Sequence, residues 1–566
     1  MTDEILEDVR RHDAVLRARG LEIWIGAEPT FTRRQSQDPW WLSEAEGGDK
    51  EPHARALLEA LAERLPQRPR LSKVLGRQFP DEPRPRFCLG AQWPRDPQGA
   101  MPSGPDGLDG EPEAAPPADP SLAWLTVTPD PGVVEVNMAP APDLETFLRW
   151  SRDVYAAAAD AGLSPVRYRW NGEVVDSGGG GQITLGGPSP EASPFFRQRQ
   201  LLPGLLRYLN RHPSLSYWFA TECVGSSSQG PRPDEGVRER FEELTTALNG
   251  LARAEIVSPE DLWRALAPLL VDCSGNAHRA EMNIEKLWNP YLPGRGCQGL
   301  VEFRSFRMER APERMAAAGA LLRALAARLV GSPCEEPLVD WSADLHDRFA
   351  LPSVLEDDLR DVLADLDAHG VGLGPALARE VLDPPAPIGQ VAQGAATLAL
   401  TPALEYWPLV GDVASEERRG ARLLDASTQR VQVTIDAPAG EEPGQVSVNG
   451  WELGLRTSEG RGKARWVAGV RYRGFVPEPG LHPRLPATGP LSVTWVRGGT
   501  AAEIVLHRWI PGGGIYPGLP ADAAEAARRR DERVIVRSPT ADVPRAAPPP
   551  PQARSAFTLD LRRCAP

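Results

Sequence analysis

Apolar and polar residues alternate cleanly in Asp130-Pro-Gly-Val-Val-Glu-Val-Asn-Met-Ala-Pro140, where a Pro-Gly turn opens onto a period-two run. That pattern predicts a strand with Glu135 and Asn137 on one face and Val134, Val136 and Met138 on the other. Helical spacing predicts helices over residues 3–19, 53–65, 143–162, 312–330 and 356–369, with Asp143 as an N-cap. An apolar strand at Leu21 to Ile25 runs into Gly26-Ala-Glu-Pro-Thr-Phe31, and another is expected at Leu122 to Val127. Residues 193–270 read as mostly helical, broken by Pro203 and by a loop from Gly225 to Glu235. Strand-like pieces enclose Asn276 to Lys286 and Gln298 to Arg307. After about residue 400, short β-type runs separated by Gly, Pro and Asp predict a small antiparallel sandwich or barrel. We therefore expect a main α+β domain over 1–400 with a mobile loop at 94–120, an all-β domain over 401–520, and a largely disordered Pro-, Ala- and Arg-rich tail over 521–566.

Composition narrows the function classes. A chain of 566 residues exceeds the usual size of one core. The formal charge of −14 argues against a general nucleic-acid binder, which would carry a basic patch. Only Lys50, Lys73, Lys286 and Lys463 are lysines, and the other basic residues are arginine. The acidic start lacks the apolar core of a signal peptide, and the most apolar helix is interrupted by Arg323 and Arg328. Six cysteines lie scattered without paired spacing, so neither a disulfide framework nor a zinc site is indicated. A cytoplasmic protein with no membrane partner is the expectation.

Several segments carry candidate chemistry. Glu135 and Asn137 on one strand face suit a bound cation, and equally a solvated surface. The run Ser177-Gly-Gly-Gly-Gly-Gln-Ile-Thr-Leu-Gly-Gly187 fails as a Walker loop, because Pro188 follows, and no window gives G-x-G-x-x-G. What remains is backbone at Gly179 and Gly180 that can approach a ligand closely, or a structural bend, leading to Gln182 and Thr184 on a shared face. In Leu300-Val-Glu-Phe-Arg-Ser-Phe306, Glu302 and Arg304 share a face, as an ion pair or as a metal ligand beside an anion-binding arginine. Arg232 is the strongest candidate in the polar loop Ser226 to Glu235. Cys273, Asn276 and His278 match no thiol-protease signature, and no G-x-S-x-G elbow is present.

Taken in order, Gly26 to Phe31, Gly76 to Arg86, Asp130 to Asn137, Ser177 to Gly187, His212 to Tyr217, Ser228-Gln229 with Arg232, Gly275 to Lys286, Gly299 to Phe306, Leu345 to Phe349 and Ala468 to Arg473 resemble a bacterial amidoligase family. That family is placed in the carboxylate–amine ligase superfamily of glutamine synthetase and glutamate–cysteine ligase. The resemblance implies a curved antiparallel sheet of that type with flanking helices, which binds ATP, Mg²⁺ and a carboxylate substrate on its concave face. It implies Glu28, Glu135, Asn137 and Glu302 on the metal side. Gly179, Gly180, Gln182 and Arg304 would lie on the nucleotide side, with Arg304 and Arg232 as catalytic arginines. Many members carry an amino-terminal transglutaminase-like domain, which we do not find in this sequence. Relatives typically carry Asn-His where this chain has Gly181-Gln182, a lysine at Arg77 and a charged residue at Thr401.

The reading that follows is an ATP- and Mg²⁺-dependent ligase joining a peptide or small-molecule carboxylate to an amine through an acyl phosphate. The alternative is a catalytically degenerate nucleotide- or peptide-binding member. Either would work beside a transglutaminase-like or ATP-grasp partner.

Overall fold

The alternating segment is a strand, Val133–Met138, whose Val134 and Val136 sit in the main apolar core while Glu135 and Asn137 line the opposite face. The structure is a computed structural model that describes residues 2–33, 47–65, 68–76, 86–96, 98–100, 108, 121–254, 257–291, 296–409, 424–458, 464–475, 486–514, 516–541 and 545–564. In chain order its first strands are β1 (Trp24–Phe31), β2 (Arg70–Gly76), β3 (Arg86–Pro94), β4 (Leu122–Asp130), β5 (Val133–Met138) and β6 (Val166–Tyr168). They continue as β7 (Val174–Asp176), β8 (Gly181–Gly186), β9 (Cys223–Val224), β10 (Met282–Asn283) and β11 (Val301–Phe303). Eight of them form one sheet in the order β10-β11-β8-β1-β5-β4-β3-β2, every neighbouring pair antiparallel.

Register then decides which side chains meet. Glu28 on β1 lies opposite Gln182 on β8, Thr184 on β8 opposite Glu302 on β11, and Thr30 on β1 opposite Glu135 on β5. Directly opposed residues point to the same side of a sheet, so these polar groups share one face. Ile25, Ala27 and Phe31 of β1 belong to the other face, with Ile183, Leu185, Val301 and Phe303. A proline inside a central strand is unusual, since it cannot donate to a ladder. Pro29 is accommodated because the β1–β5 ladder resumes only at Thr30, leaving no bond for the missing N–H on that side.

Helices cover the apolar face. Leu144–Asp160 begins where the Asp143 carboxylate accepts from the Thr146 amide at 2.8 Å. Pro312–Gly331 starts with proline in its first turn and is buried along nearly its whole length. It lies so close to β1 that a Cβ on Gly319 would come 2.3 Å from Ile25 Cδ1, so a larger residue there would push the Ile25 side chain aside. Arg323, in this same apolar helix, donates to the Ile23 carbonyl at 2.9 Å and to Asp13 at 2.6 Å. Asp13, on helix Thr2–Ala18, also accepts from the Leu144 and Glu145 amides, so one buried ion pair ties three helices to the start of β1.

A second apolar core gathers Leu398, Val433 and Ile435 from one sheet with Val448, Val493, Trp495 and Ile504 from another. The first sheet runs Gly389–Gln393, Ala396–Pro402, Thr428–Ala437, Ala464–Arg473, Arg456–Ser458, and the second runs Trp451–Glu452, Gln445–Val448, Leu491–Arg497, Thr500–Leu506, Val534–Thr540. The expected disordered tail is ordered over most of its described length: helix Ala523–Glu532 precedes the edge strand Val534–Thr540, and Thr558–Asp560 pairs in parallel with Ala464–Arg473. Its few apolar residues suffice because Leu559, Leu561 and Cys564 enter the second core. Most of the loop expected at 94–120, and Arg77, lie outside the described residues. No helix among the described residues is long and apolar enough to cross a membrane.

Candidate active site on the polar face of the sheet

Three strands each contribute one carboxylate to this face: β1 gives Glu28, β5 gives Glu135 and β11 gives Glu302. Lys286, three residues past β10, spans two of them. Its Nζ lies 2.7 Å from Glu302 Oε2 and also donates to Glu28. Arg304 donates to the other oxygen of Glu302, and Asn137 Nδ2 donates to Glu135 Oε1 at 2.9 Å. Burial, with help from the neighbouring Glu302, pushes the Glu28 carboxyl up to about 7 against the pull of Lys286. Burial likewise raises Glu135, reinforced by Asp130 and opposed by Asn137. Burial acts on Glu302 in the same direction, but Arg304 and Lys286 outweigh it and hold that carboxyl below its usual range. Two buried acids, Glu28 and Glu302, and the half-buried Glu135 thus share this face with two cations.

The glycine run borders the same face. Thr30 Oγ1 donates to the Gly180 carbonyl at 2.5 Å, and Gln229 Nε2 donates to the Gly179 carbonyl at 2.8 Å. A Cβ on Gly179 would come 2.8 Å from Val133 Cγ2 and 2.9 Å from Thr30 Cγ2, so the loop needs glycine to lie against β1 and β5. Gln182 is buried beside Glu28. Its Nε2 reaches the Gly179 carbonyl at 3.4 Å, while its Oε1 has no hydrogen-bond partner. An orphaned carbonyl oxygen in a buried acidic site is an acceptor awaiting a cation or a donor. Arg304 Nε is similarly without a partner.

The structure sets Arg232 apart from these groups. Its side chain has no exposure, and its guanidinium donates to Asp234, Ser216 and the Leu209 carbonyl, 3.5 Å from Glu281. Every arm is engaged, which makes Arg232 a buried structural cation rather than a group open to substrate. It lies over the Tyr217 ring, Tyr217 stacks on His346, and His346 stacks on Tyr406. Tyr406 is covered in turn by Arg471 of the second core region, so this column joins the two halves of the chain. Glu405 beside it pairs with Arg471 at 2.9 Å. His278 pairs with Glu285 at 3.1 Å, and Cys273 is exposed, so neither forms a nucleophilic pair. Lys286 is the functional candidate that the sequence pattern missed. It follows a two-residue strand in a turn, with no periodicity to mark it, and its rarity among the basic residues was the available signal.

The family model "Putative amidoligase enzyme (DUF2126)" matches residues 2–102 and 110–562. The chain belongs to this family. Among solved structures this DUF2126 member is similar to a novel glutamine synthase homolog, at 14% identity and a TM-score of 0.30, covering 67% of this chain and 69% of that one. It is also similar to a GmaS/ADP complex, at 13% identity and a TM-score of 0.30, covering 67% of this chain and 71% of that one. Comparison with curated proteins gives no match.

The donor set of this DUF2126 member fits a hard cation in chemistry, since the oxygen-bearing side chains of Glu28, Glu302 and Gln182 lie on one face and an ammonium already stands between the two acids. Among the described residues no three acidic, histidine or cysteine side chains form a preformed metal cage. The carboxylates that share one cation on this face are two, Glu28 and Glu302.

Proposed function

We propose that this protein is an ATP- and Mg²⁺-dependent amidoligase that joins a carboxylate to an amine. The observation that carries the reading is the pairing of Glu28 and Glu302 around one cation, beside Arg304, on the sheet face of an amidoligase-family chain. Magnesium, when bound, would neutralise the phosphates of ATP and so assist formation of an acyl phosphate. Glu28 and Glu302 would hold the metal, with Glu135 and the Gln182 carbonyl oxygen nearest to complete the shell. Arg304 is fixed at one end by Glu302 and keeps a buried, unbonded Nε, so it has a donor left for an anionic oxygen. The tightly seated glycine loop would keep water away from one side of the activated carboxylate. The site would then act mainly by charge stabilisation and positioning, with the amine as nucleophile. A glutamine synthetase-type sheet and a transglutaminase-like or ATP-grasp partner belong to the same proposal.

The test is ATP turnover with a panel of amino acids and short peptides, alongside melting with and without Mg²⁺-ATP. A ligand at one hundred times its Kd stabilises the native state by about 2.7 kcal/mol, enough for a clear shift. Wild type should show that shift and Glu302→Gln should lose most of it. No shift at millimolar Mg²⁺-ATP would sink the ligase reading. Gln182 favours a second reading, a degenerate binder, because an amide cannot supply the cation that an imidazole can. If the site has decayed, Gln182→His should raise ATP affinity or hydrolysis. Robust ligation by wild type would defeat that reading.

A further inference from the structure

Lys286 occupies the position where the metal of the proposed ligase would sit. Its Nζ is 2.7 Å from Glu302 Oε2 and hydrogen-bonded to Glu28, the two acids best placed to ligate. A magnesium ion on those same oxygens would sit at roughly 2.1 Å from each, which puts it within about 4 Å of an unmoved ammonium. A divalent and a monovalent cation at that separation, in a poorly solvated site, repel by many times thermal energy. An ammonium that stays on both carboxylates therefore opposes a metal on the same oxygens.

The surroundings decide which partner moves. Glu28 and Glu302 are held on strands, with side chains only 10% and 3% exposed. The Lys286 side chain is 33% exposed and sits on a turn whose backbone is pinned, its carbonyl accepting from the Gln298 amide at 3.0 Å. A long side chain on a fixed backbone, open at one end, can swing outwards without disturbing the sheet. Leaving two carboxylates is unfavourable unless an anion waits outside. Nucleotide phosphates would supply one, and a lysine ammonium is a suitable point-charge partner for them.

We propose that Lys286 is a tethered counter-ion that bars divalent metal from the Glu28–Glu302 seat in the nucleotide-free protein and transfers to the phosphates of the incoming nucleotide, so that metal and nucleotide bind cooperatively. This rests on the ligase reading of the carboxylate face. By linkage, each ligand then tightens the other by the same factor. The lysine is a positioning and gating residue, not a reacting group.

The experiment is Mn²⁺ binding to the full chain, by the EPR signal of free Mn²⁺ and by calorimetry, with and without a non-hydrolysable ATP analogue. Measured against a control of Mn²⁺ with the analogue and no protein, because the triphosphate itself chelates Mn²⁺, wild type should bind Mn²⁺ weakly alone and at least tenfold more tightly with the analogue. Lys286→Gln should bind Mn²⁺ at least tenfold more tightly than wild type without nucleotide, and should gain less from the analogue. Lys286→Arg, which keeps the charge, should stay as weak as wild type. Glu302→Gln should bind poorly under all conditions. Equal nucleotide-free affinity in wild type and Lys286→Gln, with loss in Glu302→Gln, overturns the exclusion and leaves the metal face standing. No Mn²⁺ binding in any variant, with or without analogue, overturns both. Should Lys286→Gln melt before binding can be read, wild type and Lys286→Arg still decide, because an affinity unchanged by the analogue in both refutes the coupling.

Discussion

His12 offers a quantitative test of how the start of β1 is held. It lies on helix Thr2–Ala18, 3% exposed, next to the Asp13–Arg323 pair, and its Nε2 has no hydrogen-bond partner. Burial, and secondarily the Arg323 charge, lowers its pKa from 6.5 to about 3. The native imidazole therefore stays neutral while the unfolded one takes a proton below 6.5, so the unfolded state binds more protons as pH falls. Stability from this group is complete above 6.5 and is lost progressively as pH drops from 6.5 towards 3. Between pH 7 and pH 5 the unfolded imidazole gains about 1.5 units of protonation free energy, or about 2 kcal/mol at 1.36 kcal/mol per unit. That figure hardly depends on the native value, provided it lies well below 5. The assay is urea unfolding of wild type and His12→Leu at both pH values, comparing the pH 7 to pH 5 loss within each protein. Other titrating groups cancel in the comparison, and wild type should lose about 2 kcal/mol more than the variant. Equal losses would show that His12 is protonated in the native state and that the reasoning fails.

Arg232→Ala should lower stability by about 3–5 kcal/mol by leaving Asp234 and Glu281 buried without their cation, and thermal unfolding would show it. If it instead melts like wild type while losing turnover, Arg232 faces substrate after all. Leu559→Ala, in the strand that closes the second core, should cost about 2–5 kcal/mol, and an unchanged melt would mean that the segment does not dock. Because Glu28 titrates near 7, metal affinity should rise from pH 6 to pH 8 as the carboxylate loses its proton, and Glu28→Gln should flatten the profile in calorimetry.

The parts legible in the sequence were those that rest on local periodicity. Period-two alternation placed Glu135 and Asn137 on one face, and Asp143 announced its own helix start. What stayed hidden depends on partners distant in sequence. Nothing around Lys286 marks it as the cation between Glu28 and Glu302, because that role exists only once β1 and β11 lie on either side of β8. Arg232 looked functional because it sits in a polar loop, yet the fold closes over that loop and spends the charge on Asp234 and Glu281. The tail looked disordered because composition counts apolar residues without knowing that Leu559 and Leu561 meet a waiting sheet.

The polar face also constrains how the chain comes to fold. Lys286 reaches Glu28 across 258 residues, Thr30 holds Gly180 across 150, and Arg323 fixes Ile23 across 300. Each closure must meet its entropy before any neighbour rewards it, and long-range antiparallel pairing is intrinsically slow. A nascent chain carrying only β1 to β5 has Glu28 and Glu135 but neither Lys286 nor Arg304, so its acids wait in water for their cations. The site therefore cannot be completed before the chain through Arg304 has been made and β11 has joined β8.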